Sequence, residues 1–204
     1  MITRSPIFVD DNGSGTAEFA LVLPLLLILL FGIIDAGRFA WEFNRAEKAT
    51  QVGARMAIVT DVVSTDLRDN TYVGMNVGGT TLKGGDTIPL AALGTITCTS
   101  TSCACTGACT GISSGRNGTA FTNLVNRMKQ IKPDIAEANV RVFYRGSGLG
   151  YAGDPNGMEM SPLVTVELTG IQFRPITTLM LATVTMPSFT TTLTAEDSVG
   201  SISN

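Results

Sequence analysis

The sequence predicts an α+β protein in which a long N-terminal transmembrane and amphipathic helix precedes a small antiparallel-sheet globular domain with one or two short helices. Three observations predict this. Phe19 to Ile34 is an uncharged apolar run. Beyond it, Ala36, Phe39, Ala40, Phe43, Ala46, Thr50, Gly53, Ala54 and Ala57 recur at spacings of three and four, as one face of a helix requires. Further on, Val140 to Arg145 and Leu163 to Thr169 alternate apolar with polar residues, as half-buried strands do.

The helix is the first element. Ala17 to Gly37 is interrupted only by Glu18 and Asp35, and a bilayer span needs about 20 largely apolar residues. The alternatives are a cleaved secretory signal and a buried core helix. A signal has a basic start, an apolar stretch of about 7–15 residues and a small-residue exit. Here Ala36-Gly37 is followed at once by helix-like sequence. Arg38, Glu42, Arg45, Glu47, Lys48 and Arg55 fall between the apolar positions and form a solvated face. With no proline between Pro24 and Pro89, one helix is expected from about Thr16 to about Val59, about 65 Å at 1.5 Å per residue. Its first half is read as membrane and its second as stalk. Asp35 and Arg38 stand three apart, a spacing that supports an ordinary helical ion pair, and they are not read as a site.

Gly13-Ser14-Gly15-Thr16-Ala17-Glu18-Phe19 leads into this span, and the block continues through Leu25 and from Phe31-Gly32 to Gly37-Arg38. A glycine, four residues, then Glu-Phe and an apolar segment resembles the class III prepilin-peptidase site of the type IV pilin superfamily. The longer block is similar, more narrowly, to the TadE-like pseudopilins of tight-adherence (Flp/Tad) pilus systems, densely over about residues 13–60. The resemblance implies a leader at 1–13, cleavage between Gly13 and Ser14 by a prepilin peptidase on the cytoplasmic side, and Glu18 as fifth residue of the mature chain. A cut after Gly15 would place Glu18 third. It further implies that Glu18, Phe19 and Pro24 serve helix recognition and assembly, with other pilins, Tad assembly proteins and the lipid bilayer as partners.

Physical chemistry supplies a reason for Glu18. A carboxylate near hydrocarbon is costly unless paired, and the new α-amino group of Ser14 is a ready partner. The plainer alternative is an acid in the first helical turn, favoured by the dipole. Pro24 removes a backbone bond inside the helix, so a bend or melted turn is expected near Val22 to Leu23. Either that weak point serves movement from bilayer to filament, or a proline near a helix start is simply tolerated. Gly32, Ala36, Gly37 and Ala40 offer small faces for close helix contact.

The leader holds one basic residue, Arg4, and two acids, Asp10 and Asp11, where leaders of this kind are usually basic. Arg4 faces Arg38, Arg45 and Lys48 across the span, so the positive-inside rule leaves topology undecided or reversed. The resemblance places the amino terminus in the cytoplasm and the globular part in the bacterial periplasm.

Residues 14–62 are therefore read as transmembrane and stalk helix, and 63–204 as one α+β domain large enough for its own core. The formal charge is −3, and without Arg4, Asp10 and Asp11 the remaining 13 basic and 15 acidic residues give −2. No basic stripe exists, so nucleic acid is not an expected partner. Cys98, Cys103, Cys105 and Cys109 sit among Thr, Ser, Ala and Gly without any histidine in the chain. Their spacing does not match a zinc ribbon, and an even count beyond a membrane helix suits two disulfides in an oxidising compartment. Three connectivities are open, and each would staple a loop at 98–109 rather than a core.

Thr71 to Val77 and Thr80 to Leu90 are strand candidates joined through Gly78-Gly79. Asn117-Gly118-Thr119 starts a helix to about Ile131, with Phe121, Leu124, Val125 and Met128 apolar and Pro133 as stop. The alternating runs pair antiparallel across the glycine-rich turn 146–157. Ile176 to Val184 is read as a short helix and Ser188 to Thr194 as a last strand. Asp154-Pro155-Asn156-Gly157 lacks the full alternating-acid calcium loop and reads as a turn.

The absence of histidine excludes Ser-His and Cys-His catalysis, and no Gly-x-x-x-x-Gly-Lys phosphate cradle occurs. No enzyme activity and no cofactor or metal is expected. The expectation is a minor pilin or pseudopilin that assembles, primes or regulates a Tad-type adhesive pilus. The alternative is a single-pass anchored periplasmic binding or adhesion domain.

Overall fold

The computed structural model describes residues 14–177 and 183–195. The fold is α+β, as expected, with a long apolar N-terminal helix and a small antiparallel sheet domain. Helix α1, Ser14–Val59, is continuous with Pro24 inside it. The melted turn expected at Val22 to Leu23 is therefore absent. Proline deletes one backbone bond, that from residue 24 to the Ala20 carbonyl, and the intact turns on either side carry the helix through. At 1.5 Å per residue α1 is about 69 Å long.

The chain divides into two compact units, one of residues 1–42 with 173–184 and the other of residues 43–172 with 185–204. The second unit holds α2 (Thr65–Asp69), β1 (Asn76–Val77), β2 (Thr80–Thr81), β3 (Thr95–Cys98), β4 (Cys103–Thr106), α3 (Gly118–Lys129), β5 (Val140–Arg145), β6 (Leu163–Leu168) and β9 (Phe189–Thr194). Two further short strands, β7 (Gln172–Phe173) and β8 (Val184–Thr185), form a separate two-stranded sheet.

The main sheet has the order β4-β3-β5-β6-β9 and is antiparallel throughout. Register explains its core. Cys103, Cys98, Val142, Val166 and Thr191 lie in one row across it, and the neighbouring row carries Ile96, Tyr144, Val164 and Leu193. Period-two alternation turns both rows to the same face. The stalk part of α1 covers that face with Ala46, Ala49, Thr50, Gly53, Ala54 and Ala57, all buried. Small residues are needed there because a Cβ on Gly53 would stand 2.8 Å from Met128 Sδ and 3.4 Å from Val166 Cγ1. Phe43 meets Phe189 edge-on at 4.9 Å between ring centroids.

Helix α3 begins where the sequence signals it. Asn117 is the N-cap, and its side chain accepts the Ala120 N–H at 3.0 Å, which satisfies one of the free donors of the first turn. Phe121, Leu124, Val125 and Met128 are buried along one side. Past the far end, Arg45 Nε and Nη2 donate to the Ile131 carbonyl at 3.0 and 2.8 Å.

Two further expectations change. The strands proposed over Thr71 to Leu90 shrink to residue pairs β1 and β2 around Gly78 and Gly79, whose φ angles of 60° and 87° suit a two-residue hairpin turn. Their flanks bond elsewhere: Tyr72 N–H donates to Glu159 Oε2 and Ile88 N–H to the Gly150 carbonyl. The cysteine stretch, expected as a loop, instead contains the β3–β4 hairpin. Five residues of the short helix expected at Ile176 to Val184 lie outside the described residues. Its described ends are a turn at 176–177 and a strand, Val184–Thr185.

Candidate functional site: the apolar half of the long helix

The N-terminal half of α1 is apolar on every side, so it has no stripe for a soluble core and all of it requires an apolar surrounding. None of its most apolar window is buried. Leu21 is 76% exposed, Leu25 69%, Leu29 63% and Ile33 64%. By length and composition α1 can cross a membrane.

At the mouth of this segment, Ser14 opens the described helix, Gly13 lies outside the described residues, and Glu18 and Phe19 are both exposed. Glu18 is the fifth residue of α1, one turn in, and the first turn holds no acid. Pro24 is exposed about 9 Å further along the axis. A Cβ added at Gly15, Gly32 or Gly37 would meet no atom within 4 Å. These glycines leave backbone open to an approaching helix.

At the other end is a constellation that sequence reasoning missed. Asp35 is only 6% exposed. Its Oδ1 accepts the Ile176 N–H at 2.8 Å and Arg38 Nη1 at 3.2 Å. Its Oδ2 accepts the Thr177 N–H at 2.8 Å and the Thr177 hydroxyl at 2.9 Å. Arg38 also lies over the Phe173 ring at 5.5 Å, and Phe39 meets that ring edge-on at 5.4 Å. The carboxylate thus clasps residues 173–177 to the helix. The three-residue spacing signalled only the Arg38 contact, because the main partners lie 141 and 142 positions away.

Residues 13–55 match a family model described as TadE-like protein. Over that segment the chain is similar to TadE-like proteins. The match takes in Gly13, Ser14, Glu18, Phe19, Pro24 and Asp35, and residues 56–204 lie outside it. That similarity points toward Tad pilus systems, and α1 is compatible with a single-pass N-terminal anchor. No curated protein and no solved structure gives a significant match to this chain.

The four cysteines pair as Cys98–Cys103 and Cys105–Cys109. The first bond joins directly opposed residues at the closed end of the β3–β4 hairpin, and both its cysteines are buried. The second ties the end of β4 to the chain that follows. Among the described residues no group of three or more His, Cys, Asp or Glu is placed to hold a metal. Asp154 Oδ1 accepts the Asn156 N–H at 2.9 Å within the turn expected there.

Proposed function

We propose that this chain is a minor pseudopilin of a Tad-type adhesive pilus, cut after Gly13 by a prepilin peptidase and held in the bacterial inner membrane by α1, with its amino terminus cytoplasmic and its sheet domain periplasmic. The observation that carries this reading is a TadE-like helix whose apolar half is exposed on all sides behind Glu18. Its role is structural, without catalysis: it primes, assembles or regulates the filament through helix contacts. After cleavage the α-amino group of Ser14 pairs with a Glu18 carboxylate, either that of its own subunit one helical turn along or that of a neighbouring subunit, and each reduces the cost of the other near hydrocarbon. Leu25, Leu29 and the small faces at Gly32 and Gly37 supply the packing surface.

A photo-crosslinking residue in place of Leu25, in cells making the whole pilus system, tests this. A covalent adduct with another pilin-type subunit is expected. Adducts with lipid alone, in a chain that still fractionates with the membrane, would leave an anchored periplasmic binding or adhesion domain instead.

A further inference from the structure

The main sheet buries one face and leaves the other open. Its outward positions alternate with the buried rows, and each of them is half-buried or exposed. The middle outward row reads Ala104, Thr97, Phe143, Thr165 and Thr192 from β4 to β9, about 19 Å across four strand spacings. The hydroxyls of Thr165 and Thr192 lie 2.7 Å apart, and Thr95, Thr106, Thr190 and Thr194 hold further outward positions. Every such hydroxyl can both donate and accept. Phe143 sits at the centre of this field. Arg141 and Arg145 stand two residues to either side of it on β5, each about 7 Å away along the strand, and both are exposed. The column along β5 is therefore cation, ring, cation. Arg141 Nη1 meets Glu167 Oε2 only at 3.8 Å, beyond hydrogen-bond reach. The Arg145 side chain makes no hydrogen bond or ion pair among the described residues.

This chemistry selects a ligand. A protein-docking face has a dry apolar centre, whereas Phe143 and Leu163 are the only large apolar side chains among these outward positions. A lipid surface calls for a broad aliphatic face, and a nucleic acid for cations that follow its phosphates. Here one carboxylate, Glu167, stands beside one of just two cations. A sugar ring matches better: its polarised C–H groups suit the negative face of an aromatic ring, and its hydroxyls suit a bed of threonines. Carboxylates on the sugar suit the planar fork of arginine. The whole chain carries −3, so attraction for an anion comes from this local excess of arginine and not from net charge.

We propose that the open face of the main sheet binds a polyuronate, an acidic polysaccharide, with one sugar unit on Phe143, its hydroxyls on Thr97 and Thr165, and carboxylates of the chain on Arg141 and Arg145. The inference is independent of whether α1 enters a filament, and it gives the sheet domain a recognition role of its own.

Binding of the full-length chain in a zwitterionic detergent to immobilised alginate and polygalacturonate, beside neutral dextran and duplex DNA, tests it. Retention on a polyuronate with none on dextran is expected. Arg145→Gln should weaken that retention about fivefold while melting at the wild-type temperature, and Phe143→Ala should weaken it as well. Arg55→Gln, on the exposed side of the stalk, should leave it unchanged. No retention on either polyuronate, or equal retention on dextran, would overturn the proposal. Equal weakening by Arg145→Gln and Arg55→Gln would overturn the site and leave general charge attraction in its place. Stronger retention on DNA, lost with Arg145→Gln, would assign the face to nucleic acid instead.

Discussion

The hydroxyl of Tyr144, in the central strand β5, accepts the backbone N–H of Val63 at 3.0 Å just after α1 ends. Both residues are buried, and burial pushes the phenol above its ordinary pKa. The bond fixes where the chain turns from the stalk into α2. Tyr144→Phe keeps the ring and leaves a buried N–H without its acceptor, at a cost of about 1–3 kcal/mol. Thermal melting of the full chain in detergent should show Tm lowered by at least about 2 °C. An unchanged Tm would mean that water replaces the phenol.

Asn117→Ala should cost about 1 kcal/mol by removing the cap of α3, whereas Asn117→Ser or Asn117→Asp should lose little. Urea unfolding of the three variants checks the order. Equal loss in all three would assign Asn117 a role other than capping.

Asp66 gives the sheet domain a pH dependence. Its carboxylate accepts the Ser113 hydroxyl at 2.7 Å and the N–H groups of Ser113 and Gly115 at 2.8 and 3.0 Å. The Ser113 hydroxyl first, then the Gly115 N–H, holds its pKa below the ordinary 3.8. A lowered carboxylate pKa contributes stability that is fully present above 3.8 and lost as pH falls through the lower folded value. The difference in Tm between wild type and Asp66→Asn should therefore be constant from neutral pH down to about pH 5 and shrink below 4. A difference that stays constant throughout would contradict the assignment.

The sequence made some of this legible and hid the rest for physical reasons. Local signals survived: the apolar run of α1, the Asn117 cap and the alternation of β5 and β6 each depend on residues a few positions apart. The spacing of Asp35 and Arg38 signals only a helical ion pair, because Ile176 and Thr177 meet Asp35 only after the chain has folded back. Strands β3 and β4 leave no such signal because Thr, Ser, Ala and Cys do not alternate in polarity, although register turns Ile96 and Cys98 inward. The connectivity of four neighbouring cysteines was open because it depends on which pair faces across a hairpin, and Cys98 opposite Cys103 decides it.

That pairing predicts a modest stapling effect. Cys98→Ala with Cys103→Ala opens a loop closed across a sequence separation of 5, and loop-closure entropy assigns this about 2 kcal/mol. The double variant should melt lower than wild type while Cys105–Cys109 still forms, as thiol counting on the unfolded chain would show. Free thiols at 105 and 109 would instead mean that the second bond depends on the first.

The most direct test of the pseudopilin reading is the intact mass and amino-terminal sequence of the mature chain, from cells with and without the cognate prepilin peptidase. A peptidase-dependent start at Ser14, abolished by Gly13→Val, is the expected result and makes Glu18 the fifth residue of the working protein. An intact Met1 end in both cells, or a cut near Ala36-Gly37, would contradict it.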